Sequence, residues 1–222
     1  MTTPSAPGPD VVHGERRWPM ALAVLAAIGL QVGTPHAGRL PGWWIVPVME
    51  FVLLGIILVV DPGRVDDLSL RVRRITFALI AIMTVGTVAS LSLLTYDILH
   101  GTYLTANNLL GRGGSIWLTN VIAFSLWYWE LDRGGPAQRA AGSGIPPSFA
   151  FPENAMPEFA VDDWMPKYPD YLYLSFTNAT AFSPTDSLPV KTWAKMAMML
   201  ESLVSLLAAI LVIARAINVF PG

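Results

Sequence analysis

Long apolar runs constrain this chain more than any other feature of it. Residues 18–32, 43–60, 75–99, 116–131 and 193–220 are mainly Ala, Val, Ile, Leu, Phe, Met and Trp. A surface helix of a soluble protein carries its apolar residues as a stripe opposite a polar face. A run that is apolar all round must be covered by protein or by lipid. Crossing a bilayer takes about 20 mainly apolar residues, and each run approaches that length. With 53% hydrophobic and 14% charged residues in 222 positions, there is little polar surface to wrap these runs in water. The expected class is an all-α membrane protein, a single multi-pass domain of about five transmembrane helices facing the lipid bilayer.

Tryptophan placement agrees with that expectation. The indole ring prefers the headgroup layer, where its body is buried and its N–H stays wet. Trp18, Trp43, Trp44, Trp117, Trp127, Trp129 and Trp193 all stand near predicted span ends. Residues 1–17 lack apolar periodicity and read as a disordered tail. Arg16-Arg17 before the first run and Thr34-Pro35-His36-Ala37-Gly38 after it have the outline of a signal peptide. The small-residue cleavage pattern is poor and further spans follow, so the first helix is expected to stay uncleaved. Asp61-Pro62-Gly63 ends the second helix, because proline cannot continue the hydrogen-bond ladder. Within the charged link that follows, the third helix gains room to begin early, giving about 29 residues and about 43 Å, longer than the hydrocarbon core. Residues 18–131 thus read as a four-helix transmembrane region. Residues 132–167 read as a Pro/Gly-rich loop without the periodicity of a helix or a strand pair.

Several function classes fall away on composition. A net charge of −2 with no basic stripe leaves nothing to track a phosphate backbone, which excludes nucleic acid. The absence of cysteine removes disulfides, thiolate nucleophiles and cysteine-type zinc sites. His13, His36 and His100 are scattered, with no metal-ligand spacing and no Ser-His-Asp arrangement. Gly113-Gly114 after Arg112 lacks the context of a phosphate loop. No enzyme, cofactor or metal centre is expected. The glycosylation-like triplet Asn178-Ala179-Thr180 reads as chance.

The segment 168–195, YPDYLYLSFTNATAFSPTDSLPVKTWAK, has a different character. Tyr168-Pro169 opens a short aromatic-flanked helix that ends in Ala179-Thr180. Five residues follow, Ala181, Phe182, Ser183, Pro184 and Thr185, and then Asp186, Pro189-Val190, Trp193 and Lys195. In this order and spacing residues 168–222 resemble the two-helix pore module of potassium channels: pore helix, filter, exit and inner helix. The resemblance implies a re-entrant helix and a homotetramer around an axial path. The filter positions depart from that family. A potassium filter aims backbone carbonyls at the ion, which requires positive φ that glycine adopts without steric cost. Ser183 and Thr185 replace the glycines, and Pro184 has φ fixed near −65° and no N–H. A potassium-selective carbonyl cage is not expected. Two outcomes stay open: a wider path lined by side-chain oxygens of Thr180, Ser183, Thr185 and Asp186 that suits hydrated monovalent or divalent cations, or a plug packed by Phe182 and Pro184. The second half of the chain, through Trp117-Leu118-Thr119-Asn120 and the run LWYWELDRGGP at 126–136, also resembles a family of uncharacterised bacterial integral membrane proteins. That implies a bacterial inner membrane and no established activity.

Ionisable groups at bilayer depth are costly and mark functional candidates. Glu201, Ser205, Ala208, Val212 and Arg215 share one face of the last helix. Glu201 either lines a cavity or is neutral and hydrogen-bonded to a neighbour, and Ser205 takes the place of the channel hinge glycine. Glu50 and Asp97 carry the same two readings. Arg64, Arg71, Arg73 and Arg74 mark the second loop as cytoplasmic. The amino terminus and the 132–167 loop then face the cytoplasm, whereas potassium channels place that loop outside. The function classes that fit are poorly selective, channel-like passage of cations, or a non-conducting structural or accessory protein that keeps the pore fold. A carrier fits less well for want of an internal repeat.

Overall fold

Backbone polar groups shielded from water must bond within their own segment, and the helix is the local solution. A computed structural model of the protein describes residues 14–34, 42–65, 69–100, 105–156, 164–181 and 186–219. The apolar runs are the helices α1 (Trp18–Gly33), α2 (Ile45–Val60), α3 (Leu70–Leu99), α4 (Ala106–Leu131) and α8 (Thr192–Val219). Between α4 and α8 come a 3-10 turn at Asp132–Gly134, α5 (Pro136–Ala140), β1 (Phe149–Ala150), α6 (Pro152–Ala155), α7 (Tyr168–Ala181) and β2 (Leu188–Pro189).

α1 to α4 run alternately up and down. Antiparallel neighbours are tied at both depths: Arg17 pairs with Asp61 and Gln31 with Glu50 across α1 and α2, and Arg112 with Asp97 and Trp127 with Thr84 across α3 and α4. α4 is the central helix, packed on α1, α3, α7 and α8. From Thr119 to Glu130 every side chain except Trp127 is buried. α7 and α8 both lie antiparallel to α4. Gly113 lets α8 come close, since a Cβ there would stand 2.1 Å from Val212 Cγ2.

Sequence expectation and structure differ at four places, the first being the end of the expected tail, where Arg17 is buried and its N–H donates to the Gly63 carbonyl while the Glu15 carbonyl accepts from the Val65 N–H. Among the described residues, two helices are long and apolar enough to cross a membrane, α3 and the stretch Thr192–Ala214 of α8, not five. α1 and α2 are apolar but only 16 residues each, about 24 Å at the helical rise. α4 has length but carries Asn107, Asn108, Arg112, Thr119 and Asn120. It also starts ten residues earlier than its apolar run, at an N-cap where the Thr105 hydroxyl accepts from Asn108 N–H. The 132–167 loop, expected without helix or strand pair, holds α5, α6 and β1, and β1 pairs antiparallel with β2. Its order comes from aromatic packing. Phe149 is fully buried among Tyr128, Tyr171 and Trp193, with ring centroids 5.1, 6.4 and 5.7 Å away.

α4 ends on a turn that needs glycine. Arg133, Gly134 and Gly135 all have positive φ, and a Cβ on Gly135 would stand 3.0 Å from the Glu130 carbonyl oxygen. The outside of the bundle is apolar: Phe51, Val59, Val85, Met199, Leu203 and Ile210 are exposed, while Glu50, Thr87, Asn120, Ser125, Glu201 and Ser205 are buried.

Candidate functional site

α7 is placed by its ends and by its inner face. Pro169 stands in the first turn, where a missing N–H costs no intrahelical bond. Two carboxylates complement that positive end: Glu15 accepts from the Tyr168 N–H, and Asp170 accepts from the Lys167 N–H at 2.7 Å. Tyr168, Tyr171, Leu174, Ser175 and Asn178 recur at three- and four-residue spacing and are buried against α4 and α8. The other face leaves Tyr173, Phe176 and Thr180 exposed. α7 begins beside the α4 end, where Tyr168 packs on Trp129 and meets the Ser125 hydroxyl at 2.9 Å. By Ser175 it is level with Val121, whose carbonyl accepts from the Ser175 hydroxyl at 2.7 Å. The chain then returns to the end from which it came: β2 pairs with β1 and Lys191 Nζ donates to the Pro146 carbonyl at 2.9 Å.

Glu201 joins α7, α8 and α4. It is fully buried. Its Oε2 accepts from the Tyr128 hydroxyl at 2.6 Å and from Asn178 Nδ2 at 2.7 Å, and its Oε1 contacts the Ser175 hydroxyl. Asn178 Nδ2 also donates to the Met198 carbonyl at 3.1 Å. Asn120 Nδ2 donates to the Glu201 carbonyl at 3.2 Å and to Ser205 Oγ at 3.0 Å. Hydrogen bonds of this kind are individually modest but leave costly unmatched groups when one member is removed.

The structure therefore brings Glu201 and Ser205 together in an enclosed polar cluster. Thr180, Ala181 and Asp186 are elsewhere, on the exposed surface. The Thr180 hydroxyl donates to the Phe176 carbonyl at 2.7 Å, and Asp186 accepts from the Tyr173 hydroxyl at 2.7 Å. Phe182, Ser183, Pro184 and Thr185 lie outside the described residues, as do His13 and His36 and the side chain of Arg215. His100 is exposed and stacked on Tyr96 at 3.9 Å. Asn120, Tyr128, Ser175 and Asn178 are four of the six side chains of the Glu201 cluster and were not among the sequence candidates. Their signal was present as polar side chains inside apolar helices, but nothing local pairs them with Glu201 and Ser205 across 23 to 85 positions.

A second network holds the loop end. Asp132 is fully buried and accepts from the Ser148 N–H and the Tyr171 hydroxyl, both at 2.6 Å. The Arg139 guanidinium donates to the Trp129 and Asp132 carbonyls at 2.8 and 2.9 Å and lies over the Tyr171 ring. Glu15 accepts from Trp129 Nε1 at 2.8 Å and pairs with Arg139 at 3.8 Å. Burial pushes the Glu15 carboxyl up from its ordinary value of 4.5, against the Trp129 and Tyr168 hydrogen bonds and the Arg139 charge, and the Asp170 charge adds to the push.

The chain matches no family model, no curated protein and no solved structure.

Proposed function

We propose that the protein is a multi-pass integral protein of a bacterial inner membrane whose copies, assembled around an axis, pass cations with poor selectivity beside Thr180 and Asp186. The observation that carries this reading is the path of α7. It enters and returns at one end of the bundle while Tyr173, Phe176 and Thr180 on its outer face stay exposed, Phe176 edge-on to Trp117 and Tyr173 bonded to Asp186. An apolar exterior around a polar interior supports a hydrocarbon surround for all five long helices. The homotetramer follows from the pore-module resemblance. Side-chain oxygens, rather than a carbonyl cage, would meet the ion.

Recording from the reconstituted protein in planar bilayers tests this. Cation current is expected, and Asp186→Asn lowers it about two-fold at low salt, with the difference shrinking near 1 M as screening removes the surface charge. A second reading, a non-conducting structural protein, is favoured by Glu201: the one carboxyl of the inner helix is consumed in holding α4, α7 and α8 together. An intact oligomer without current at any voltage selects that reading, and a strict monomer in detergent removes the axial path altogether.

A further inference from the structure

We propose that Arg16 and Arg64, with Arg71 and Arg74 at the start of α3, bind the headgroup phosphate of an anionic membrane lipid at the charged end of the bundle. This rests on the membrane reading proposed above and does not depend on conduction. Arg16 and Arg64 are opposed in an antiparallel bridge between the segment before α1 and the segment after α2. The Arg17 N–H donates to the Gly63 carbonyl and the Val65 N–H to the Glu15 carbonyl, both at 2.9 Å. Arg16 and Arg64 are therefore the pair that exchanges no hydrogen bond, the register that brings Cα atoms to about 4.5 Å and side chains closest on one face. Their chain neighbours turn inward: Arg17 is buried against Asp61, and Val65 is buried in the core. Arg16 and Arg64 are both exposed.

Like charges directly opposite each other are destabilising, and among the described residues no carboxylate pairs with either arginine. α3 starts next to the bridge, since Arg17 and Val65 line one small pocket together with Leu70 and Arg73. On its first turns Arg71 and Arg74 are also exposed and without an ion pair. Asp66 and Asp67 lie outside the described residues, and against four exposed guanidiniums they would still leave an excess of positive charge. The level of the patch selects a lipid over a free anion. Trp18, two positions after Arg16, is exposed, and so are Val59 and Val60 at the end of α2, a few positions before Arg64. Apolar surface thus gives way to guanidinium over about one turn on both segments, the order expected from hydrocarbon to headgroup. A guanidinium offers phosphate oxygens a planar fork of donors, and basic clusters at this level draw anionic lipids. One phosphate between Arg16 and Arg64 offsets their repulsion and gives both an acceptor.

The test offers the full chain, in a zwitterionic detergent, equal amounts of phosphatidylglycerol and phosphatidylcholine and reads the retained lipid by native mass spectrometry. Phosphatidylglycerol is expected to exceed phosphatidylcholine at least fivefold, and inorganic phosphate at the same concentration leaves that ratio unchanged. Arg16→Gln combined with Arg64→Gln brings the ratio within twofold. Lys167→Gln combined with Lys195→Gln removes the same charge from exposed positions at that end and keeps the preference. Should the arginine variant fail to fold, phenylglyoxal labelling of the wild type decides: phosphatidylglycerol slows modification of Arg16 and Arg64 severalfold. The proposal is overturned by equal retention of the two lipids, by a folded arginine variant that keeps the preference, or by arginines left unprotected. Displacement of the lipid by inorganic phosphate also overturns it, leaving a free-anion site, as does an equal loss in the lysine variant, which leaves attraction to net charge only. A chain that stays dispersed without detergent and floats with vesicles of neither lipid overturns the membrane reading as well, whereas equal retention of both lipids leaves that reading standing.

Discussion

Ser175 has one hydroxyl proton and two oxygen neighbours, the Val121 carbonyl and Glu201 Oε1. The accounting closes when that proton goes to Val121 and a proton on Oε1 of Glu201 is donated to Ser175, leaving Oε2 to accept from Tyr128 and Asn178. A carboxylic acid with these partners is mimicked by a carboxamide. Glu201→Gln is therefore expected to keep most of the stability, its amide donating to Ser175 and its oxygen accepting from Tyr128 and Asn178. Glu201→Leu leaves two donors and an acceptor unmatched and loses on the order of 3 kcal/mol. Thermal unfolding in detergent measures both; equal midpoints for the two variants would remove the cluster's structural role. Glu201 was legible as a candidate because a carboxyl inside an apolar helix is costly. Its partners were not, because Tyr128, Ser175 and Asn178 come from two other helices.

At the scale of elements, α3 and α8 were readable from hydropathy alone, with α3 expected at about 29 residues and observed at 30. α4 was only half readable. Its first turns carry Asn107, Asn108 and Arg112, whose helical state depends on the Thr105 cap and on Asp97 of α3. The α4–α8 crossing depends on Gly113. Gly113→Ala adds about 1 kcal/mol of intrinsic helix preference but drives a methyl into Val212, so a net loss of about 1–2 kcal/mol is expected. Val212→Ala opens the space, and the double variant recovers that loss. A double-mutant cycle by thermal unfolding reads the coupling, and additive effects would mean that the helices separate without cost. The strand pair that ties the 132–167 loop to the segment after α7 gave no periodic signal because each strand has two residues.

For the whole molecule, the bundle gathers charge at one end. Among the described residues, all Lys and Arg except Arg112 and Arg215 lie at or within about a turn or two of the end that holds Glu15, the start of the 132–167 loop and the start of α8. Under the proposed membrane reading, the positive-inside rule would put that end, from which α7 starts, in the cytoplasm. Because the chain has no cysteine, single cysteines report sidedness cleanly. In oriented vesicles Ser143→Cys is expected to react with an impermeant maleimide only from the cytoplasmic side, and Asn107→Cys only from the other. Reaction of Ser143→Cys from outside would invert the orientation, and reaction of both from one side would undo the antiparallel path of α4 in the membrane.

The sequence by itself determined the helical class, the positions of the apolar helices, the short α7 after the loop and the isolation of costly carboxyls, because hydropathy, proline and capping act within a few residues of where they are read. Only the tertiary structure decided that Glu201 is enclosed while Asp186 is exposed, that Arg112 answers Asp97, that Glu50 meets Gln31 and that α4 is the centre of the bundle. Those outcomes depend on which helices meet and at what depth. Pairing of polar groups across tens of positions is set by packing, which leaves no periodic mark along the chain.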